Sequence, residues 1–466
     1  MKINQLAVFL AILLVLIMAI GTASAESVNL TADEIVSDST VLVLSDSDNS
    51  KINEYITSED ITASKDSNDD SSAFDGGSGV LSGLDDSSAF DGGSVVLSGL
   101  DDSSGSGYGL TDFDPGVPIA YMVTPNNIGQ FFVDGKLISD YDGATLSFQG
   151  EFDNLGILYI PTNNNVITGL NAVFKNTVFC LGGYNNTLNN LTMYADKEFP
   201  DNEYSLVQIA GEHHTITNLT INYNTPSNKN AYAISADGVE NFVNNATIIN
   251  NSIVYIGNAV GQGINHVIRL HYCENANISN NTITAAMPLR NIEFMMPGYM
   301  IDKDMSVAIA TENCENLIMN GNNITVDIIS RNGAFPTFDG VLIVSCSNSI
   351  VDNNTLDIRD FLTHKGVPNY LYGIDIYNLE NLTLSNNNIN INTTGGAYAA
   401  GTAYPIQLTG PYAGITICDN YLVSANNGPN IGIYSHDYYG ETALNITHNF
   451  INITGYAGSH NWALVT

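Results

Sequence analysis

The chain is short of positive charge. Its 466 residues include 13 Lys and Arg against 48 Asp and Glu, a formal charge of −35. Phosphate contacts need clustered cations, so nucleic acid and anionic membrane surfaces are excluded as partners. Cysteine is also scarce. Five residues (Cys180, Cys273, Cys314, Cys346 and Cys418) are too few for a dense disulfide framework. Long apolar runs are missing after residue 20, so no membrane span is expected in the mature chain.

The N-terminus carries the one long apolar run. Lys2 precedes an unbroken apolar stretch of 15 residues, 6–20, and Ala23-Ser24-Ala25 follows as a small-residue cleavage site. Residues 1–25 therefore read as a signal peptide, which places the protein outside the cell or on its surface. Residues 26–115 hold 20 of the 48 acids, and Ser, Asp and Gly dominate them. A 16-residue unit stands twice in tandem, DSSAFDGGSGVLSGLD (70–85) and DSSAFDGGSVVLSGLD (86–101). This composition predicts a disordered, self-repelling acidic spacer. No cofactor is implied. Calcium is the one ion the Asp-Gly-Gly-Ser units invite, and their spacing is wrong for the nonapeptide calcium class.

Residues 118–165 read as an N-terminal cap and first coil. Thr124 is placed as an N-cap with Pro125 at the first helical position, predicting a short helix over "VTPNNIGQFF" (123–132). "GATLSFQGEF" and "LGILYIP" then alternate like strands.

From 166 to 466 the chain repeats. One slot holds Asn251, Asn281, Asn322, Asn354, Asn387, Asn420 and Asn449, at spacings of 30, 41, 32, 33, 33 and 29. Positions five and three before that slot, and two and four after it, are apolar in 26 of 28 cases. Composition alone would give about 12, so the repeat is genuine. Earlier copies, "TLNNLTM" (187–193) and "TITNLTI" (215–221), carry Leu191 and Leu219 in the slot. The two-residue alternation on either side is strand periodicity, and the slot breaks its phase. The asparagine is therefore expected to bend the chain there and to stack on its counterparts as a buried amide ladder. Further strand-like runs lie between, such as "HVIRLHY" (266–272), "VAIATEN" (307–313), "GVLIVSC" (340–346) and "YGIDIYN" (372–378). About three strands per coil predict an all-β chain, a right-handed parallel β-helix. A leucine-rich repeat fits the asparagine spacing too, but each motif runs on into a β-branched strand with no helical return segment. Cys273, Cys314 and Cys346 share one slot in consecutive coils, where a ladder of buried thiols and a single disulfide both remain open.

These repeats resemble those of the pectate-lyase-like superfamily. The order of signal peptide, acidic spacer, "VTPNNIGQFFVDGKL" and Asn-rich coils also resembles the adhesin-like surface proteins of methanogenic archaea. The resemblance covers about residues 118–466 and implies a secreted or surface protein that binds glycans, proteins or other cells. Such proteins often continue into further repeats or an anchor, whereas this sequence stops at "SHNWALVT". A polysaccharide lyase or glycoside hydrolase, and a structural surface-layer component, are the alternatives. No Asp pair recurs at matching slots of adjacent coils, and the paired-acid motifs of polygalacturonases are missing, so no catalytic residue is assigned and an enzyme is not favoured. The candidate binding residues are Arg269, His271, Glu312, Asp375 and Tyr377, displayed on a solvated strand face. Tyrosines after residue 370 and the insertion 285–306 are further candidates for recognition.

Overall fold

The computed structural model describes residues 120–465, apart from 197–202, 226–229, 239–242, 259–263, 292–304, 332–335, 363–368, 394–400, 427, 437–442 and 456–460. The signal peptide, the acidic spacer and its tandem units lie outside the described residues.

Three stacks of parallel strands run along the molecule as a parallel β-helix. One contains Thr247–Ile249, Asn277–Ser279 and Ile318–Asn320. A second contains Ser252–Ile256, Thr282–Asn291 and Asn323–Arg331. The third contains Asn230–Asp237, Asn265–His271, Ser306–Glu312, Pro336–Val344, Tyr370–Ser385, Thr402–Cys418 and Asn430–His436. Repeat positions pair in register, as Ile248 with Ile278, Ile278 with Met319 and Met319 with Val351. Their side chains point inward and join one continuous core from Val123 to Ile433. No α-helix occurs among the described residues, which removes the leucine-rich alternative.

The asparagine slot forms the ladder. Asn251 Nδ2 donates to Asn281 Oδ1 at 2.9 Å, Asn281 to Asn322 at 3.0 Å, and Asn322 to Asn354 at 2.9 Å. The series continues through Asn387 and Asn420 to Asn449. Each Oδ1 also accepts the backbone N–H of the preceding rung. The second Nδ2 proton reaches a carbonyl of an earlier coil, as from Asn281 to Ile248 O at 2.8 Å. A buried amide is thereby satisfied on every side.

The bend itself is one residue earlier than expected. Asn250, Asn280, Asn353 and Asn386 have φ between 53° and 57°, and Gly321, Asp419 and His448 take the same left-handed corner in their coils. A short polar side chain or none tolerates that region, and the following residue is then free to turn its amide inward. A second column of left-handed asparagines sits at another corner, including Asn275, Asn316, Asn348 and Asn381. There the exposed side chains also stack, Asn316 on Asn275 at 3.0 Å and Asn381 on Asn348 at 3.1 Å.

In the first coils the buried ladder occupies a different corner. Asn165 N–H donates to Asn186 Oδ1 at 2.9 Å, and Asn186 N–H to His214 Nδ1 at 3.0 Å. These three stand where later coils carry Ala246, Ala276 and Leu317. Leu191 and Leu219 fill the usual slot, and Leu219 N–H donates to Asn251 Oδ1, where the main ladder begins.

Two expectations for local structure are corrected. The helix over 123–132 is a single 3-10 turn, Ile128–Gln130, preceded by Asn127. No side chain caps this turn; the Asn127 side chain reaches backward instead, accepting from Thr124 N and donating to Met122 O. Strand Phe132–Val133 begins too soon after it for further helical turns. The cysteines are free thiols, with Cys273, Cys314 and Cys346 buried, so the ladder reading holds over the disulfide. Within the insertion 285–306, Met287 and Leu289 belong to the core, and residues 292–304 lie outside the described residues.

Candidate functional site

The long third stack brings together the residues singled out from sequence, in two groups. Alternation places Ile234, Ile268, Ile309, Val341 and Ile374 in the core. The next residue in each strand therefore points outward, giving a column of Ser235, Arg269, Ala310, Leu342, Asp375 and Gln407. Two residues further on, the outward column is Asp237, His271, Glu312, Val344 and Tyr377.

Arg269, His271 and Glu312 meet on adjacent coils. His271 Nδ1 lies 3.1 Å from Asp237 Oδ1, and its Nε2 lies 3.4 Å from Glu312 Oε2. Arg269 Nη1 is 3.7 Å from Asp237 Oδ2, and its guanidinium covers the Tyr232 ring at 5.2 Å. Asp375 and Tyr377 form a separate group. Arg269 and Asp375 are three coil steps apart, roughly 14 Å at strand spacing.

The face is not solvated, which corrects the sequence expectation. Arg269, Glu312, Asp375 and Tyr377 are buried. Between the two groups, Met305, Val307, Ala310, Leu342, Val344 and Tyr377 make an apolar cluster of their own, outside the main core. A face with that apolar middle gains by being closed off from water.

Two carboxyls are the unusual feature of this face. Asp339 and Asp375 are fully buried, and none of their four oxygens completes a hydrogen bond of ordinary geometry. They do not share a slot. Asp339 pairs with Tyr372 and Leu342 with Asp375, so the acids approach diagonally from adjacent coils. Between them Gly340 faces the core, where a Cβ would stand 2.7 Å from Gly373 O and press on Leu356 and Ile358.

Burial pushes the Asp375 carboxyl up to about 8, against the pull of the nearby Tyr377 hydroxyl, Ile376 N–H and Gln407 amide toward the charged form. Burial raises Asp339 well above the ordinary carboxyl range, and the neighbouring Asp375 charge adds to it. The pair therefore holds a proton at neutral pH, and Asp375 is the member that ionises first.

Aromatic rings continue the face. Tyr372 and Tyr404 stack with centroids 5.1 Å apart, and Tyr434 meets Tyr404 edge-on at 5.6 Å. Burial raises the Tyr404 hydroxyl to about 12 and the Tyr372 hydroxyl well above its ordinary range, so both stay protonated donors. Sequence reading named Asp375 and Tyr377 but missed Asp339, His266 and Gln407. The two acids lie in different slots of adjacent coils, and slot-by-slot periodicity does not reveal a diagonal pair. The Asp-Gly of "FDGVLIV" beside "YGIDIYN" was the available signal. Among the described residues, no group of three His, Cys, Asp or Glu side chains is arranged to hold a metal ion.

No protein-family model matches the chain, and no curated protein is significantly similar to it. Solved structures do resemble it at a distance. A PL6 family alginate lyase is 14% identical over 74% of this chain and 53% of that one, with a TM-score of 0.36. The catalytic domain of a GH87 α-1,3-glucanase is 13% identical over 69% of this chain and 64% of that one, TM-score 0.31. A tailspike from an Acinetobacter baumannii bacteriophage, a capsular polysaccharide depolymerase, is 12% identical over 67% and 57%, TM-score 0.26. At such identities and scores these likenesses carry no argument about what this chain does.

Proposed function

We propose that the chain is an exported, polysaccharide-acting β-helix protein in which Asp339 and Asp375 cleave a glycosidic bond. The observation that carries this reading is the pair of buried, interacting carboxyls on the outer face of the third stack, Asp339 with no hydrogen-bond donor and Asp375 approached only loosely by Tyr377, Ile376 and Gln407. Burying an acid without a partner costs stability, and such groups concentrate where their altered acidity is used. Glycoside hydrolysis needs one carboxyl that keeps its proton and one that ionises. Asp339 is the acid, donating its proton to the leaving glycosidic oxygen as the bond to the anomeric carbon breaks. Ionised Asp375 takes a proton from the water whose oxygen bonds to that carbon. The Tyr377 hydroxyl and the Gln407 amide stabilise the Asp375 charge.

Surface binding without turnover is the second reading, and the Tyr372–Tyr404–Tyr434 stack favours it. Aromatic faces hold sugar rings with no chemistry required. The two readings separate on one experiment with the full chain, incubation with a polysaccharide panel followed by assay of reducing ends and of unsaturated products. Turnover that disappears in both Asp339→Asn and Asp375→Asn supports the hydrolase. Retention of a glycan with no product supports the adhesin-like reading. Unsaturated products would point to elimination instead. Because Asp375 ionises near 8, hydrolysis should climb as the pH rises toward that value.

A further inference from the structure

One corner of the β-helix carries a pattern that the fold does not require. The left-handed residue before the ladder slot is Asn190, Asn218, Asn250, Asn280 or Asn353 in five coils, and each is followed two residues later by Ser or Thr. Strand register stacks those hydroxyl residues in one outward column, from Thr192 through Thr220, Ser252 and Thr282, then past Asn323 to Thr355. Gly321, Asp419 and His448 take the same corner in other coils, and there the column residue is Asn323, Tyr421 or Phe450. Asn386, followed by Asn388, is the exception. Packing dictates neither position, because the corner accepts Gly, Asp or His and the column accepts Tyr or Phe. Asn-x-Ser/Thr is the acceptor triplet for an N-linked glycan.

Exposure and bonding sort the candidates. Asn250, Asn280 and Asn353 are exposed, and their side-chain amides make no hydrogen bond among the described residues. Asn190 and Asn218, at the same corner, are tied back by Nδ2, to Gly169 O at 2.8 Å and Asn189 Oδ1 at 3.0 Å. At the other left-handed corner, Asn185, Asn245 and Asn381 begin the same triplet, and they bond Asn164, His213 and Asn348 at 2.9, 3.2 and 3.1 Å. Asn445 and Asn452 begin it within strands, where the backbone is held in the sheet. We propose that Asn250, Asn280 and Asn353 are attachment sites for N-linked glycans. This assignment rests on the proposed export and is independent of the acid pair. The donor is an oligosaccharide carried on a polyprenyl diphosphate. The asparagine nitrogen bonds to the anomeric carbon of its first sugar as that carbon's bond to the diphosphate oxygen breaks. The lipid diphosphate leaves, and the nitrogen gives up one proton to a base of the transferase. Asn250 and Asn280 lie in adjacent coils, roughly 4.8 Å apart, which leaves room for one bulky glycan on that pair. Asn353 is two coil steps from Asn280, roughly 10 Å, and carries its own.

In the test, the folded full chain is incubated with membranes containing an oligosaccharyltransferase and its polyprenyl-diphosphate donor. Products are mapped by glycopeptide mass spectrometry. Glycans should appear at Asn353 and at Asn250 or Asn280, about tenfold or more above Asn190, Asn218 and Asn381. Thr355→Val should abolish the Asn353 glycan and leave the melting temperature unchanged, because Thr355 is exposed and a β-branched side chain suits the strand. A glycan at none of the three overturns the proposal. So does an equal yield at the tied asparagines, or an Asn353 glycan that survives Thr355→Val. Export is scored separately, on the full chain expressed in cells that carry the same transferase. Chain recovered outside those cells with all three asparagines bare overturns the glycan sites and keeps export. Chain held inside, with the folded protein still modified by the membranes, overturns export and supports the acceptor sites.

Discussion

Asn353 and Asn354 are neighbours with opposite needs. Asn353 has a φ of 54° and turns the chain, while Asn354 is buried and joins Asn322 to Asn387. Removing the Asn354 amide orphans the Asn322 Nδ2 and N–H donors, at about 1–3 kcal/mol for each buried group. Asn354→Ala should therefore lower the denaturant midpoint by several kcal/mol equivalent, and an unchanged midpoint would refute the ladder. Asn353→Ala should cost about 1–2 kcal/mol through the left-handed backbone alone, with Asn353→Gly nearly neutral. Equal losses from Ala and Gly at 353 would show that the side chain, not the backbone, matters there. The rung was legible in the sequence because its slot never changes from Asn251 to Asn449. The bend was misplaced by one residue because Asn-Asn, Gly-Asn, Asp-Asn and His-Asn all occur at that corner, and the pattern of identity outweighed the conformational need.

Strand stacks carry the pH dependence, and two groups act in opposite directions. Burial lowers His214, the rung above Asn186, to about 4. Its unfolded value is near 6.5, so its contribution is complete above that and is lost as the pH falls from 6.5 toward 4. The loss reaches about 3 kcal/mol at the acid end. His214→Asn, a rung of the same kind as Asn186, should flatten unfolding curves recorded between pH 7 and 4. Asp375 behaves in reverse. Its folded value is raised from about 3.8 to about 8, so its stabilisation is full below 3.8 and is lost as the pH rises through 8. Asp375→Asn should thus melt higher than the parent at pH 8, by at least ~1 kcal/mol or roughly 2–4 °C. The gap should shrink toward pH 4. A variant that melts lower at both values would mean that Asp375 is a structural acid. Strand identity and register were readable from period-two alternation in runs such as "HVIRLHY". Whether an outward side chain is wet or covered was not, because alternation distinguishes the two faces of a strand and says nothing of what lies over the outer one.

At the scale of the whole molecule, a solenoid separates scaffold from function. Each coil repeats the same inward residues, so the core and the ladder are written many times, while the outer column changes from His266 to Val307 to Asp339 to Tyr372. Periodicity finds what repeats, and a site made of what differs between coils is invisible to it. Charge is the one global property that every coil shares. Beyond residue 115 the chain carries 28 acids against 10 Lys and Arg, a net −18, and self-repulsion works against the compact state. Among the described residues the exposed ion pairs that would offset it are weak, as Lys175 with Glu151 at 2.9 Å and Arg359 with Asp327 at 2.8 Å. Added salt screens both terms, reducing the Debye length from about 30 Å at 0.01 M to about 8 Å at 0.15 M. Repulsion acts over the longer distance, so it is screened first and most. The melting temperature should therefore rise on adding sodium chloride from ~0.01 to ~0.5 M. A fall would mean that local ion pairs outweigh the net charge, and that the acidity is stabilising coil against coil rather than keeping chains apart.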